Sequence, residues 1–432
     1  MNSNVKEEYK RKLTTVEEAV KIVKSGDWVD FGFGAGMPFA LMNAVAVRKH
    51  ELENVNVRDT LWLFPNDKFV SERGQKTFTI NSFFLTARTR KIVNEGTGTT
   101  YPEYFSDIPG FYTRYLENDV LMVSVSPMDD HGYFSFGTGV TYHRAAADKS
   151  KKVIVEVNEH QPYIYGDTFI HISDVDVIVE NHSLLPVIPA PPLTPEDEII
   201  GDTVAEFVED GSTVQLGIGG MPNAVGYALR TKRDLGIHTE MFVDAMIELI
   251  EAGAVNGKKK SIHKERVIGT FAGGSEKLYK YISRNPMFEG YPVSYTNDPF
   301  IIAQNSKMVA INATAEVDLT GQCASESVGP RMLSGTGGQM DYCRGAYKAG
   351  GKAFICLHST AKNGTISKIV PHLAKGAVVT TPRAEVQYIV TEHGVAMLKG
   401  KTLKERANEL IAIAHPDFRG ELRSEARKLN LI

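Results

Sequence analysis

The chain has 432 residues, enough for two or three domains and a sizeable buried core. Apolar residues make up 42% and charged residues 23%, a globular composition that excludes intrinsic disorder. Lys plus Arg number 48 against 52 for Asp plus Glu, a net charge of -4, so nothing in the balance points to nucleic acid or an anionic membrane as a partner.

The first residues, MNSNVKEEYKRKL, are charged and lack the apolar stretch of a secretory signal. No run approaches the roughly 18 to 20 apolar residues of a membrane span. Three cysteines, Cys323, Cys343 and Cys356, are too few for a disulfide framework, and their spacing fits no zinc pattern. A reducing cytoplasm is the expected compartment, and no metal site is expected.

Residues 13 to 38, LTTVEEAVKIVKSGDWVDFGFGAGMP, read as an acidic amphipathic helix, a Gly turn, an apolar strand and a Gly-rich turn ending in Met-Pro. Residues 193 to 222, LTPEDEIIGDTVAEFVEDGSTVQLGIGGMP, repeat that order, so that Gly32 and Gly34 match Gly217 and Gly219. Two further pairs follow in the same order. GTGVTYHRAAADKSKKVIVEV at 137 to 157 matches GTGGQMDYCRGAYKAGGKAFICL at 335 to 357, and VDVIVENH at 175 to 182 matches VQYIVTEH at 386 to 393. The chain is therefore expected to be an internal duplication of two similar α/β domains. The stretch LLPVIPAPPLTPEDE at 184 to 198 holds five prolines, which places the join near residue 192 and gives domains of 1–192 and 193–432. Val/Ile-rich runs such as VLMVSVS, KVIVEV, TVQLGIG, KMVAIN and KAFICL fit parallel or mixed sheets flanked by helices on both faces. Two such domains would place the active site in the cleft between them. The tail from residue 399 reads as helices interrupted at Pro416.

Within the second half, TVQLGIGGMPNAVGYAL at 213 to 229 is strand, Gly turn, helix. Its glycines either make a tight packing turn or let backbone N–H groups approach a phosphate or an oxyanion. The dinucleotide pattern fails because position 222 is Pro, and no Walker pattern is present, so neither a nicotinamide cofactor nor ATP is supported. In DLGIHTEMFVDAMIELIEAG, His238 and Glu240 are two apart and would share a face on a strand. Read alone, Glu240 is more readily a solvated or capping acid than a reactive one. Lys258, Lys259 and Lys260 form a basic run that is either a solvated loop or a phosphate contact. The segment from 315 to 342 is rich in Gly and Ser, and its turn Gly335-Thr336-Gly337-Gly338 is a second place for close backbone approach. Cys343 and Cys356 read as small buried hydrophobes, and His131 as a turn residue.

The motifs QLGIGGMPNAVG, GIHTEMFVDA, VSYTNDP, SGTGGQMDY, SKIVPHL and IAHPDFRGEL, in this order and over nearly the whole chain, resemble the acetate-dependent coenzyme A transferases of family I. The likeness is greatest to the butyryl-CoA:acetate type, with 4-hydroxybutyrate CoA-transferases as near relatives. Relatives acting on 4-hydroxybutyrate tend to read Ser-Asp-Gly where this chain has Val243-Asp244-Ala245, and GFGAGMP also looks like the butyryl group. The resemblance implies Glu240 as the nucleophile. It implies Gly217, Ile218, Gly219, Gly220 and Met221 as the coenzyme A and oxyanion loop, with further contacts at Asn297, Gly335, Gly337 and Gly338. Phe33, Met37, Pro38 and His238 are candidate substrate-pocket residues, with Phe31 another by position. The implied reaction moves coenzyme A between short-chain carboxylates through a mixed anhydride and a glutamyl-CoA thioester. Acyl-CoA is a substrate, no permanently bound cofactor is needed, and a homodimer or homotetramer is implied. An acyl-CoA hydrolase using the same Glu240 is the alternative within the class, and a CoA-binding regulatory module the alternative outside it.

Overall fold

The computed structural model describes residues 3–63, 69, 77–217 and 219–432. It divides into two compact units, Met1–Ile188 with Ile268–Thr296, and Pro189–Val267 with Asn297–Ile432. A single boundary near residue 192 does not account for the return of 268–296 to the first unit. Hydrogen bonds hold that segment there: Thr270 O accepts from Val140 N (3.0 Å), Gly290 O from Asp167 N (2.9 Å), and Tyr279 Oη donates to Pro186 O (2.8 Å). Residues 181–194, where the prolines cluster, form neither helix nor strand, because proline removes backbone donors a ladder would need.

In the first unit the strands run, edge to edge, Val177–Glu180, Lys152–Val157, Val120–Val125, Trp28–Phe33, Val55–Thr60, Phe78–Phe84, Gly98–Thr100. Every neighbouring pair is parallel. Val120–Val125 is buried along its whole length, which is why the central strands read as unbroken apolar runs rather than alternating ones. The earliest strand lies in the middle, and strand order reverses between Trp28–Phe33 and Val120–Val125.

The second unit repeats this connectivity. Its strands run Gly236–His238, Thr213–Leu216, Met308–Ala313, Lys352–Cys356, Tyr388–Thr391, Gly394–Met397. All are parallel except the last, a hairpin partner at the edge. Here the order reverses between Thr213–Leu216 and Met308–Ala313. In doubly wound sheets such a reversal opens a crevice beyond the carboxyl ends of the two strands, where ligands bind. The Gly-rich turn at 217 to 221 leaves the first of these strands at that point. Among the described residues an apolar core forms around Phe31, Val57 and Ile154 in the first unit and around Ala310, Ile355 and Ile389 in the second. Helices Leu403–Ala412 and Arg419–Lys428 close the chain, separated by a turn at Pro416–Phe418. Among the described residues no helix is long and apolar enough to cross a membrane.

Two helices fix the turn at the crevice. Pro195–Glu206 begins with a capping box in which Thr194 and Asp197 satisfy each other's backbone N–H. It lies against Gly220–Ala228 at Gly201, where a Cβ would stand 2.8 Å from the Ala224 carbonyl carbon and 2.9 Å from its oxygen. Backbone therefore meets backbone, which only glycine permits. Gly to Ala in a helix ordinarily stabilises by about 1 kcal/mol. Here the sign should reverse: Gly201→Ala is expected to destabilise by about 1–3 kcal/mol in urea unfolding.

Candidate active site

The strand Gly236–His238 ends two residues before Glu240, and the chain bends at Thr239 and Glu240 before the helix Asp244–Glu251 begins. Glu240 is thereby delivered at the carboxyl end of the sheet with its side chain partly accessible. Its Oε2 accepts a hydrogen bond from Asn297 Nδ2 at 2.7 Å, and the backbone N–H of Gly338 also donates to its carboxylate. Asn297 is fully buried in the turn before the helix Pro299–Ile302. Gly338 is the N-cap of the helix Gln339–Lys348, whose positive end so points at the carboxylate. A Cβ on Gly338 would fall onto the Glu240 carboxylate and the Asn297 amide. Glycine is thus required here by close approach.

Opposing effects set the charge of Glu240. Burial pushes its carboxyl up to about 7, against the pull of the Asn297 amide and the Gly338 N–H, which favour the anion. The result is a carboxylate more basic than an ordinary glutamate, yet ionised in half or so of molecules near neutral pH. Such a group is both available and nucleophilic.

The loop before Gly338 is anchored by a side chain. Glu326 is buried; its Oε1 accepts from Thr380 Oγ1 at 3.0 Å, its Oε2 from Thr336 Oγ1 at 3.3 Å, and its backbone carbonyl from Leu333 N at 2.7 Å. Gln339 Nε2 donates to Thr381 Oγ1 at 3.0 Å on the far side of the turn. Gly335 and Gly337 belong to this anchored turn, with Gly337 at a positive φ of 62°.

The other Gly turn lies at the strand-order reversal. Gly217 N donates to Ile311 O at 2.9 Å, and buried Gln215 and Asn312 exchange amide hydrogen bonds beneath it at 3.2 and 3.4 Å. Gly219, at φ 121°, has open space where a Cβ would be, and Gly220 starts the helix Gly220–Ala228 with Met221 half-buried beside it. Ile218 lies outside the described residues. The donors on the Glu240 carboxylate are Asn297 and Gly338. In the matching turn of the first unit, Gly32 stands where Gly217 stands in the second. A Cβ on Gly32 would meet His143 Nε2 at 2.8 Å, and Tyr142 Oη donates to Gly32 O at 3.0 Å. His143 is fully buried, and burial pushes its imidazole down to about 3, so it sits there uncharged.

His238 does not share an extended strand with Glu240, since the strand stops at His238. It is fully buried, with its ring centroid 6.5 Å from that of Tyr342. Phe33 and Met37 are 3% and 2% exposed, packed inside the first unit. Phe33 stacks on Phe105 at 5.5 Å and lies 4.6 Å from Phe271, while Met37 joins the aliphatic core with Phe31, and Pro38 caps the helix Phe39–Val47. Lys258 and Lys259 are exposed, but Lys260 is neither solvated nor open to a phosphate. Its stem crosses Gly236 and its Nζ donates to Ile237 O and Arg266 O, both at 2.9 Å. Burial pushes the Cys343 and Cys356 thiols up to about 12, far from any reactive thiolate. His131 sits in a turn, its N–H on Asp129 Oδ1. No cluster of His, Cys, Asp and Glu among the described residues could hold a metal.

Residues 1–189 match the acetyl-CoA hydrolase/transferase N-terminal domain, and residues 274–426 the C-terminal domain of the same family. The chain belongs to the acetyl-CoA hydrolase/transferase family. Among similar members of this family is the succinyl-CoA:cyclohexane-1-carboxylate CoA transferase of Geobacter metallireducens, 47% identical over 98% of this chain and 97% of that one. The 4-hydroxybutyrate coenzyme A transferase of Clostridium kluyveri is 44% identical (97% and 98%), and the butyryl-CoA:acetate CoA-transferase of Anaerostipes caccae 42% (99% and 98%). The crystal structure of RipA from Yersinia pestis superposes with a TM-score of 0.91 at 38% identity, covering 99% of this chain and 100% of that one.

For a member of the acetyl-CoA hydrolase/transferase family, the residues that escape a reading of motifs are Glu326 and its threonine partners. They are scattered over 326 to 380, and nothing in their local sequence sets them apart. The close contact at Gly338 gives a direct test. Gly338→Ala should displace the Glu240 carboxylate and lower kcat by about 10²–10³-fold, the range for losing one oxyanion donor. Steady-state kinetics beside a circular dichroism melt would separate this from a folding defect.

Proposed function

We propose that this protein is a CoA-transferase that moves coenzyme A between short-chain carboxylates, with butyryl-CoA and acetate as the preferred pair and Glu240 as the nucleophile. One observation carries the reading: the Glu240 carboxylate is held by two donors, Asn297 and Gly338, while burial keeps it basic. The butyryl preference is supported by Val243-Asp244-Ala245 after the reactive stretch, where relatives acting on 4-hydroxybutyrate tend to read Ser-Asp-Gly.

The chemistry follows from that geometry. Ionised Glu240 attacks the thioester carbonyl; the C–S bond breaks and the CoA thiolate leaves, giving a mixed anhydride. The thiolate then attacks the carbonyl carbon of Glu240. The negative charge of this tetrahedral centre falls on a glutamyl oxygen, where Asn297 Nδ2 and Gly338 N–H already stand. Collapse expels the original carboxylate and leaves a glutamyl-CoA thioester. The acceptor carboxylate attacks this thioester, and the steps run in reverse to give the new acyl-CoA. Donors fixed before the reaction need no reorganisation as charge develops. Binding the remote nucleotide end of CoA, by the turn at 217 to 221, can offset strain at the thioester.

Incubation with butyryl-CoA and no acceptor should add the mass of CoA at Glu240, seen by intact mass and peptide mapping, and acetate should discharge it. Steady release of free CoA without an acceptor would instead identify a hydrolase. A donor and acceptor panel including 4-hydroxybutyrate and cyclohexane carboxylate ranks the acyl preference. Because Glu240 must be ionised to attack, kcat/KM for acyl-CoA should rise with pH, bend near 7 and then level. Glu240→Gln should abolish both the adduct and the rise.

A further inference from the structure

We infer that His358 and Asp197 form a positioning pair that holds Gly220, at the start of the helix Gly220–Ala228, in place for coenzyme A binding; this rests on the proposed role of that glycine turn. Asp197 has three neighbours at once. Its Oδ2 accepts from the backbone N–H of Thr194 at 3.0 Å, as the acidic half of the capping box. Its Oδ1 accepts from His358 Nε2 at 2.9 Å. Its carboxylate also lies directly under the turn, with Oδ2 3.0 Å from where a Cβ of Gly220 would be.

The pair is built to be rigid. Asp197 is 4% exposed and sits in the first turn of Pro195–Glu206, where the helix dipole favours its charge. The same helix meets Gly220–Ala228 backbone to backbone at Gly201. His358 follows the strand Lys352–Cys356, two strands from Thr213–Leu216 across the sheet. An acceptor carboxylate on Nε2 requires that nitrogen to carry the proton, which fixes the tautomer. His358 also lines a pocket of about 520 Å³ with Thr194, Lys362, Glu392, His393 and His415. His358 is thus a strut between the sheet and the carboxylate that backs the turn. It touches neither Glu240 nor its donors, so its effect should appear in binding rather than in chemistry.

The test compares His358→Leu, which removes the donor at similar volume, with His358→Gln, whose amide can still donate to Asp197 Oδ1. Kinetics are measured with butyryl-CoA and acetate, alongside thermal midpoints and the Glu240→Gln variant. His358→Leu should raise KM for acyl-CoA about tenfold, the scale of one hydrogen bond to a charged group. It should leave KM for acetate and kcat within about twofold, and His358→Gln should restore KM. An unchanged KM for acyl-CoA in a folded His358→Leu protein overturns the inference, as does an equal rise for both substitutions. If His358→Leu does not fold, His358→Asn, too short to reach Asp197, carries the same expectation and the same overturning result. Turnover retained by Glu240→Gln would mean that the functional reading itself fails. Glu240→Gln inactive with His358→Leu normal would remove the positioning pair alone.

Discussion

The site depends on the meeting of one carboxylate with the N-terminus of one helix. Gly338 begins Gln339–Lys348, and its N–H and the Asn297 amide converge on the carboxylate of Glu240. Without those donors a carboxylate in such surroundings would remain protonated and inert. Without the burial it would be an ordinary weak nucleophile. Everything around the contact serves to keep it in register: the glycine that lets the backbone come close, the Glu326 anchor behind the loop, and the early stop of the strand Gly236–His238.

Topology explains why the contact can form. In both units the first strand lies mid-sheet and the order reverses beside it. The reversal leaves a gap that no crossover helix fills, at the end of the sheet where loops emerge. In the second unit the gap is bordered by the turn after Thr213–Leu216, with the Gln215–Asn312 pair pinning the two central strands below. Helix Pro195–Glu206 packs behind the turn through Gly201, so the position of a flexible glycine segment is set by close-packed neighbours.

Much of this is legible in the sequence, for identifiable reasons. The repeat shows because Gly turns and Val/Ile runs recur in one order, and the parallel sheets show because their strands are apolar on both faces. The importance of Glu240 does not show from spacing, since a lone glutamate has no signature; the family resemblance supplied it. The His238–Glu240 alternation misleads because period two holds only while the strand lasts. Lys260 misleads because its neighbours in the chain are solvated, whereas a missing side chain at Gly236 makes a channel for its stem. The return of 268–296 to the first unit leaves no local mark, as it is fixed by pairings with residues mostly over a hundred positions earlier.

The two glycine turns also show how a duplicated fold can support the same bend in two ways. In the first unit the imidazole of His143 is wedged against Gly32, Gly36 and Gly139, whereas a Cβ at Gly217, the counterpart of Gly32, would meet the Ile311 carbonyl oxygen. An uncharged, fully buried ring thus fills beneath one turn the place that main chain fills beneath the other. A bend backed by a side chain can be loosened by one substitution, while a bend backed by main chain can be loosened only by moving a strand.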